Sequence, residues 1–263
     1  MTSVAINTDV GEGYSVYEFG DDAALLDHVT AANIACGFHA GDPDILRRTC
    51  GLAVERGVSI GAQVSYRDRD GFGRRFIDVP HDSLVNDLLY QLGALDAFVR
   101  VAGGAIGYVK AHGALYNSAA HHLPHATAIV DATRLFNPAL PVVCQASTAT
   151  WRTAVAAGTT VLVEAFADRS YTTAGLLVPR SEPDAVITDA EYAAQRGVDM
   201  VMTGEVPSIT GDVVAIAPPS HPVAALCVHS DTPGAAAIAM RLRQRLTEAG
   251  VVITSLPPKG QGQ

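Results

Sequence analysis

Short apolar or β-branched runs alternate with longer helical patterns along the whole chain, and this alternation constrains the fold more than any other feature. The spacing predicts strands near 4–9, 33–37, 58–62, 105–110, 141–145, 160–166 and 225–229, with two more near 212–217 and 251–255. Helices are expected near 21–31, 43–56, 81–101, 124–135, 148–157, 189–196 and 234–249. In the second helix, Ile45, Leu46, Thr49, Leu52 and Ala53 share a face, and Arg47, Arg48 and Glu55 point outward. Asp42 supplies its N-cap, Pro43 a favoured first residue and Gly57 a stop. Strands separated by helices run parallel and are joined by crossovers. About seven such units predict a closed or nearly closed α/β barrel, with a doubly wound open sheet as the alternative. No repeat or linker divides the chain, so one domain is expected over 1–255. The polar, Gly/Pro-rich tail 256–263 is expected to be disordered.

Composition narrows the function. The 263 residues are 48% hydrophobic but only 6% aromatic, so Ala, Val, Leu and Ile must fill the core. A formal net charge of -9 argues against nucleic acid or an anionic membrane surface as partner, because both reward dense Lys and Arg. Lys110 and Lys259 are the only lysines, which makes Lys110 the one lysine in the body of the fold. Cys36, Cys50, Cys144 and Cys227 show no CxxC spacing and are expected to be reduced, buried thiols. No run approaches the ~20 apolar residues of a membrane span. The chain enters its first strand at Val4 without a basic, apolar leader, so a soluble cytoplasmic protein is expected.

Parallel α/β folds gather chemistry at the carboxyl ends of their strands, and five such ends here carry ionisable groups. The first reads Asn7-Thr-Asp9-Val-Gly-Glu12, where two carboxylates can divide acid and base roles or hold a metal, or else form a surface turn. The second sets His39 on a turn flanked by Gly37 and Gly41, ahead of Asp42. After the third, Gly71-Phe-Gly-Arg74-Arg75 is either an anion grip or a solvated loop. Lys110 and His112 are two residues apart on the fourth, so they face the same way, with Tyr116 and Asn117 just beyond. His121, His122 and His125 are expected to be merely exposed. Glu164 and Asp168, four apart beside Arg169 and Tyr171, suit substrate binding or base catalysis. His229 and Asp231 close the series, with Asp231 or Thr232 expected to cap the last helix. There is no P-loop, dinucleotide fingerprint, GxSxG elbow or HExxH.

These motifs resemble the LamB/YcsF family, to which the A subunits of bacterial 5-oxoprolinase belong. The resemblance runs from about Ile6 to Ile253 and is carried by Asp9–Glu12, Ala32–Asp42, Gly71–Arg75, Tyr90–Leu95, His112–Asn117, Glu164–Arg169 and His229–Pro233. It implies a distorted seven-stranded (β/α) barrel of the glycoside hydrolase/deacetylase type. It also implies ATP-dependent opening of the lactam 5-oxo-L-proline to L-glutamate, with ADP and phosphate as products and the B and C subunits as partners. Four positions depart from the family pattern: Gln63-Val64 stands where His-Pro is usual, Ala111 where Pro is usual, and Ser230 where Gly is usual.

For that reaction Lys110, with Arg74 or Arg75, is expected to bind anions, and Asp9, Glu12 or Glu164 to act as base. His39 and His112 are expected to move protons or, with Asp9, to hold a divalent metal, by analogy with deacetylase barrels. Asp42, Tyr116, Asn117, Asp168, Arg169 and His229 complete the expected substrate and phosphate site. Two alternatives remain: an ATP-independent, metal-dependent hydrolase of amides or carbohydrates, and a non-catalytic subunit that binds substrate.

Overall fold

The computed structural model describes residues 2–257. Seven parallel strands form its centre: β1 (Ser3–Val10), β2 (Ala31–Ala35), β3 (Ser59–Val64), β4 (Ile106–Ala111), β5 (Val142–Cys144), β6 (Val161–Phe166) and β9 (Val223–Val228). β1 pairs with β2 on one side and with β9 on the other, which closes the sheet into a barrel and excludes the open-sheet alternative. Around it lie α1 (Asp22–Leu26), α2 (Pro43–Glu55), α3 (His81–Val101), α4 (Gly113–Ala119), α5 (Leu123–Phe136), α6 (Ala149–Ala156), α7 (Ala190–Thr203) and α8 (Ala235–Glu248). Asp42 caps α2 as its sequence predicts, its carboxylate accepting from the N–H groups of Asp44 and Ile45. Among the described residues no helix is long and apolar enough to cross a membrane.

Strand alternation sorts the barrel interior into layers. Ala5, Ala31, Tyr108, Val143, Leu162 and Ala225, one from each of six strands, pack together at the amino-terminal end. β3 contributes Gly61 at this level because the Tyr108 ring occupies the space a Cβ would need. Leu256 is buried in the same cluster. The expectation of a disordered tail from 256 therefore fails at Leu256, and its remainder from 258 onward lies outside the described residues. One layer up, the same strand faces carry Asn7, Asn33, Gln63, Lys110, Glu164 and Cys227, all buried.

Several elements differ from the sequence reading, and α4 and a short strand at 205–207 have no counterpart in it. The run near 212–217 supplies β8 (Val213–Ala215), which pairs antiparallel with β7 (Glu205–Pro207) outside the barrel. The run near 251–255 shrinks to β10 (Val252–Ile253), an extra strand on β1. α1 stops at Leu26 because 31–35 is needed for β2. α7 continues to Thr203 through Gly197, a residue that disfavours helix, because a Cβ there would collide with Leu242 of α8. His125 is also not exposed: it is fully buried, its Nδ1 2.7 Å from the Tyr66 hydroxyl and its Nε2 3.1 Å from the Val79 carbonyl.

One carboxylate in this framework weakens it. Asp22 accepts from the Gly11 N–H through Oδ2 at 2.9 Å, but among the described residues its buried Oδ1 makes no hydrogen bond of normal geometry. Burial pushes Asp22 up to about 6, with the Gly11 hydrogen bond opposing and Glu12 reinforcing. A folded value above the ordinary ~3.9 of the unfolded chain stabilises the protein only while the group is protonated. That contribution is complete below about pH 4 and disappears as pH rises through 6. Asp22→Asn is therefore expected to raise stability above pH 6 by about 1–2 kcal/mol. Urea unfolding should show the gain shrinking to nothing towards pH 4.

Candidate active site

The carboxyl ends of the strands surround a cavity of about 530 Å³, lined by residues that include Asp9, Gln63, Lys110, His112, Tyr116 and His229. Beneath it lies a polar network. Lys110 Nζ is 2.7 Å from Glu164 Oε1, 3.2 Å from Asn7 Oδ1, 3.3 Å from Cys227 Sγ and 3.7 Å from Asp9 Oδ1. Asn33 donates to both Asn7 Oδ1 (2.7 Å) and Asp9 Oδ1 (2.8 Å), and Tyr108 donates its hydroxyl proton to Asn33 Oδ1. Burial opposes ionisation here, yet Lys110 titrates well above its ordinary value because of Cys227, Glu164 and Asp9 beside it. Burial pushes the Cys227 thiol far up, so it is neutral at pH 7 and the two carboxylates supply the stabilising charge. Asp9 in turn, despite its burial, is held well below the carboxylate range by Lys110, then His229, His112 and Asn33.

A second group forms where β1, β2 and β4 end. The His39 and His112 rings stack with centroids 3.8 Å apart. His112 Nε2 lies 2.9 Å from the Phe72 carbonyl, which can only accept, so this nitrogen carries the proton. Its Nδ1 lone pair then accepts from Gln63 Nε2 at 3.0 Å. His39 Nδ1 lies 2.9 Å from Ser65 Oγ, whose own proton goes to the Tyr66 carbonyl, so His39 donates there and keeps a lone pair on Nε2. The His39 Nε2 lone pair faces Glu12 Oε1 at 3.3 Å, and His112 Nδ1, its lone pair taken by the Gln63 amide, stands at the same distance from that oxygen. Burial pushes both imidazoles down to about 3, which keeps them neutral, and pushes Glu12 up to about 7. A lone pair facing a carboxylate oxygen requires a proton or a cation between them, and the raised Glu12 carboxyl can supply that proton to His39. With the Gln63 amide turned off His112 Nδ1, Glu12, His39 and His112 fit a divalent metal, the hydrogen bonds to Ser65 and the Phe72 carbonyl orienting the rings. Asp9 belongs instead with Cys227 and His229, so the carboxylate in this group is Glu12.

Gly73 keeps the histidine stack in register. Its φ is +66°, and a Cβ there would lie 2.9 Å from both His112 Cδ2 and His39 Cβ. Gly73→Ala combines left-handed strain with displacement of the two rings. It is expected to lower kcat about 10–100-fold while costing only about 1–2 kcal/mol of stability. Turnover measured beside urea unfolding of the same variant checks the split.

The other sequence candidates divide. His229 Nδ1 donates to Asp168, 3.1 Å from either oxygen, and Asp168 also accepts from the His229 backbone N–H and from Thr232. This orients His229 as a carboxylate-held imidazole, with no hydrogen bond at Nε2 among the described residues. Glu164 and Asp168 serve different networks rather than acting as a pair. Arg169 lines the cavity but is tied to the carbonyls of Ala185 and Val178. Tyr171 is spent on the Phe166 N–H. Asn117 is exposed on the cavity wall. Arg74 lines the cavity, whereas Arg75 lies on Asp68 and does not, and Asp42 is taken up by backbone N–H groups, those of its cap and that of Ser15. Asp231 caps nothing: α8 starts after Gly234 without a side-chain cap, and Asp231 instead binds Arg74 and Arg180. Sequence reasoning missed Ser65, which orients His39, and Arg180. Both lie in stretches without a recognisable pattern.

The family model of the LamB/YcsF family matches residues 4–261. The chain belongs to the LamB/YcsF family. It is 50% identical to the 5-oxoprolinase A subunit of Streptomyces coelicolor over 250 residues, covering 95% of this chain and 98% of that one. It is 49% identical to the 5-oxoprolinase A subunit of Mycobacterium avium, covering 96% and 98%. The crystal structure of the lactam utilization protein from Thermus thermophilus superposes with a TM-score of 0.88 at 39% identity, covering 95% of this chain and 98% of that one. This LamB/YcsF barrel also has the architecture of a putative cellobiose-phosphate cleavage protein from Enterococcus faecalis, at a TM-score of 0.56 and 9% identity, a likeness of fold alone.

Proposed function

We propose that this chain is the A subunit of an ATP-hydrolysing 5-oxoprolinase, working with B and C subunits in the cytoplasm to convert 5-oxo-L-proline to L-glutamate. One observation carries the reading beyond kinship. Among the described residues, two polar atoms of the cavity lining are buried without a partner: the Tyr116 hydroxyl and Gln63 Oε1. A lactam offers one carbonyl acceptor and one N–H donor on adjacent atoms, the complement of a hydroxyl donor and an amide acceptor. Buried polar atoms left unpaired cost about 1–3 kcal/mol each, so a ligand that satisfies both gains that energy. Gln63, at the position where a His is usual in the family, then serves as acceptor for the ring N–H while its amide group holds His112.

A lactam is resonance-stabilised and a poor electrophile. Attack of its carbonyl oxygen on the γ-phosphorus of ATP releases ADP and turns C5 into a strong electrophile. Water adds at C5, the C–N bond breaks as nitrogen takes a proton, and a second water releases phosphate from the acyl phosphate. Lys110 stabilises negative charge at the substrate oxygens. His229, oriented by Asp168, takes the proton of the attacking water. Glu12, His39 and His112 are the residues that would hold a divalent metal, which would supply Lewis-acid polarisation of a bound oxygen.

The test is co-expression with candidate B and C subunits, assaying glutamate formation from 5-oxoproline with and without ATP. Glutamate that appears only with ATP and all three chains supports the reading. Amide or carbohydrate hydrolysis by this chain alone, with a divalent metal and no ATP, would replace it with the metal-hydrolase alternative that the Glu12–His39–His112 group favours.

A further inference from the structure

Arg74, from the loop after β3, and Arg180, from the loop after β6, reach the same carboxylate. Arg74 Nη2 lies 2.6 Å from Asp231 Oδ2 and Arg180 Nη2 lies 3.0 Å from Asp231 Oδ1. Each oxygen thus holds one guanidinium, and Asp231 offsets the repulsion between them. Both arginines line the cavity and Asp231 does not. Among the described residues neither guanidinium makes another hydrogen bond, so each keeps four of its five N–H donors unspent. The Phe72 ring supports Arg74 from one side, its centroid 5.0 Å from Cζ. A third guanidinium, Arg169, is buried behind them. Its burial first, and then the charges of Arg180 and Arg74, push it down to about 10. In a chain of net charge -9, three guanidiniums against two carboxylates, Asp231 and Asp168, make a local cationic wall.

We infer that Arg74 and Arg180 form an oxyanion clamp, with Asp231 as the positioning residue that holds the two guanidiniums side by side. An oxyanion is the ligand whose shape matches paired guanidiniums with free N–H edges. Resting on the reading of this cavity as a 5-oxoproline site, the clamp takes either the carboxylate of the lactam or a phosphoryl group formed during its activation. The recognition chemistry is the same for both.

Calorimetric titration of the full chain separates these sources. Three probes are needed: 5-oxoproline, 2-pyrrolidinone (the same ring without the carboxylate) and inorganic phosphate. Arg74→Ala and Arg180→Ala are each expected to weaken anion binding at least about tenfold. Arg47→Ala, the same charge loss on an exposed helical face, is expected to change nothing. A loss confined to 5-oxoproline assigns the clamp to the carboxylate, and a loss confined to phosphate assigns it to the phosphoryl group. Asp231→Asn is expected to weaken the same anion, although it makes the wall more positive, because it releases the geometry. Tighter binding in that variant would overturn Asp231 as the strut. Wild-type affinity in both arginine variants, or no anion binding by the wild type, would overturn the clamp. Equal binding of 2-pyrrolidinone and 5-oxoproline, with no phosphate binding, would also overturn it and leave the lactam reading intact. Phosphate held by the two arginines, without any lactam binding, would keep the clamp and remove the lactam.

Discussion

Lys110→Met is expected to abolish ATP-dependent glutamate formation, lowering kcat by about 10²–10³, and to destabilise the chain by about 3–5 kcal/mol. The two losses have different origins. Among the described residues Lys110 is the only cation within hydrogen-bonding reach of Glu164, and it lies 3.7 Å from Asp9, with all three side chains buried. Removing it leaves buried carboxylates without a counter-charge, and the desolvation cost of each is then uncompensated. The catalytic loss follows from removing an amine that lines the cavity. Lys110→Met/Glu164→Gln separates the effects. It removes both members of the 2.7 Å pair and is expected to recover most of the stability while turnover stays lost. Urea unfolding and glutamate assays on the single and double variants measure this. Full activity in Lys110→Met would contradict the role given to Lys110.

His112→Ala carries the second largest effect, an expected fall in kcat/KM of about 10²–10⁴ with a smaller change in stability. His112 joins three parts of the site. Its Nε2 proton fixes the Phe72 carbonyl, its Nδ1 lone pair holds the Gln63 amide, and its ring stacks on His39. Alanine removes the Nδ1 acceptor beside Glu12 and frees the Gln63 amide to turn. Titration with Zn²⁺ or Co²⁺ should lose affinity in this variant as in Glu12→Gln. Asp9→Asn should retain it, because Asp9 is tied to Asn33 and Lys110 rather than to the histidines. Undiminished metal affinity in His112→Ala would exclude this group as the cation site.

Much of the fold was legible because local pattern and tertiary need agree. Alternation of strand and helix signals pointed to the parallel barrel, and period two put Asn7 with Asp9 and Lys110 with His112 on inward faces. Where they disagree, the sequence misleads. Gly197 reads as a helix breaker, but close packing on Leu242 requires it inside α7. Val213–Ala215 reads as a barrel strand, yet it pairs only with Glu205–Pro207. His125 follows two other histidines on a polar stretch, and only the fold brings Tyr66 and Val79 to its ring.

The site follows the same division. Residue order alone settles which groups stand at the strand ends, because spacing along a strand fixes the face and the level that each occupies. It also marks His39, on its glycine-flanked turn, as a member. Which groups meet was decided by the closing of the barrel, since partners such as Asn7 and Glu164, or Glu12 and His112, are far apart in the chain and adjacent only across the interior. Closure assigned Glu12 rather than Asp9 to the histidines, brought Asp9 and Glu164 to Lys110, and turned Asp231 from an expected helix cap into the carboxylate between Arg74 and Arg180. Such pairings depend on distances between loops of different β/α units, which no local pattern encodes.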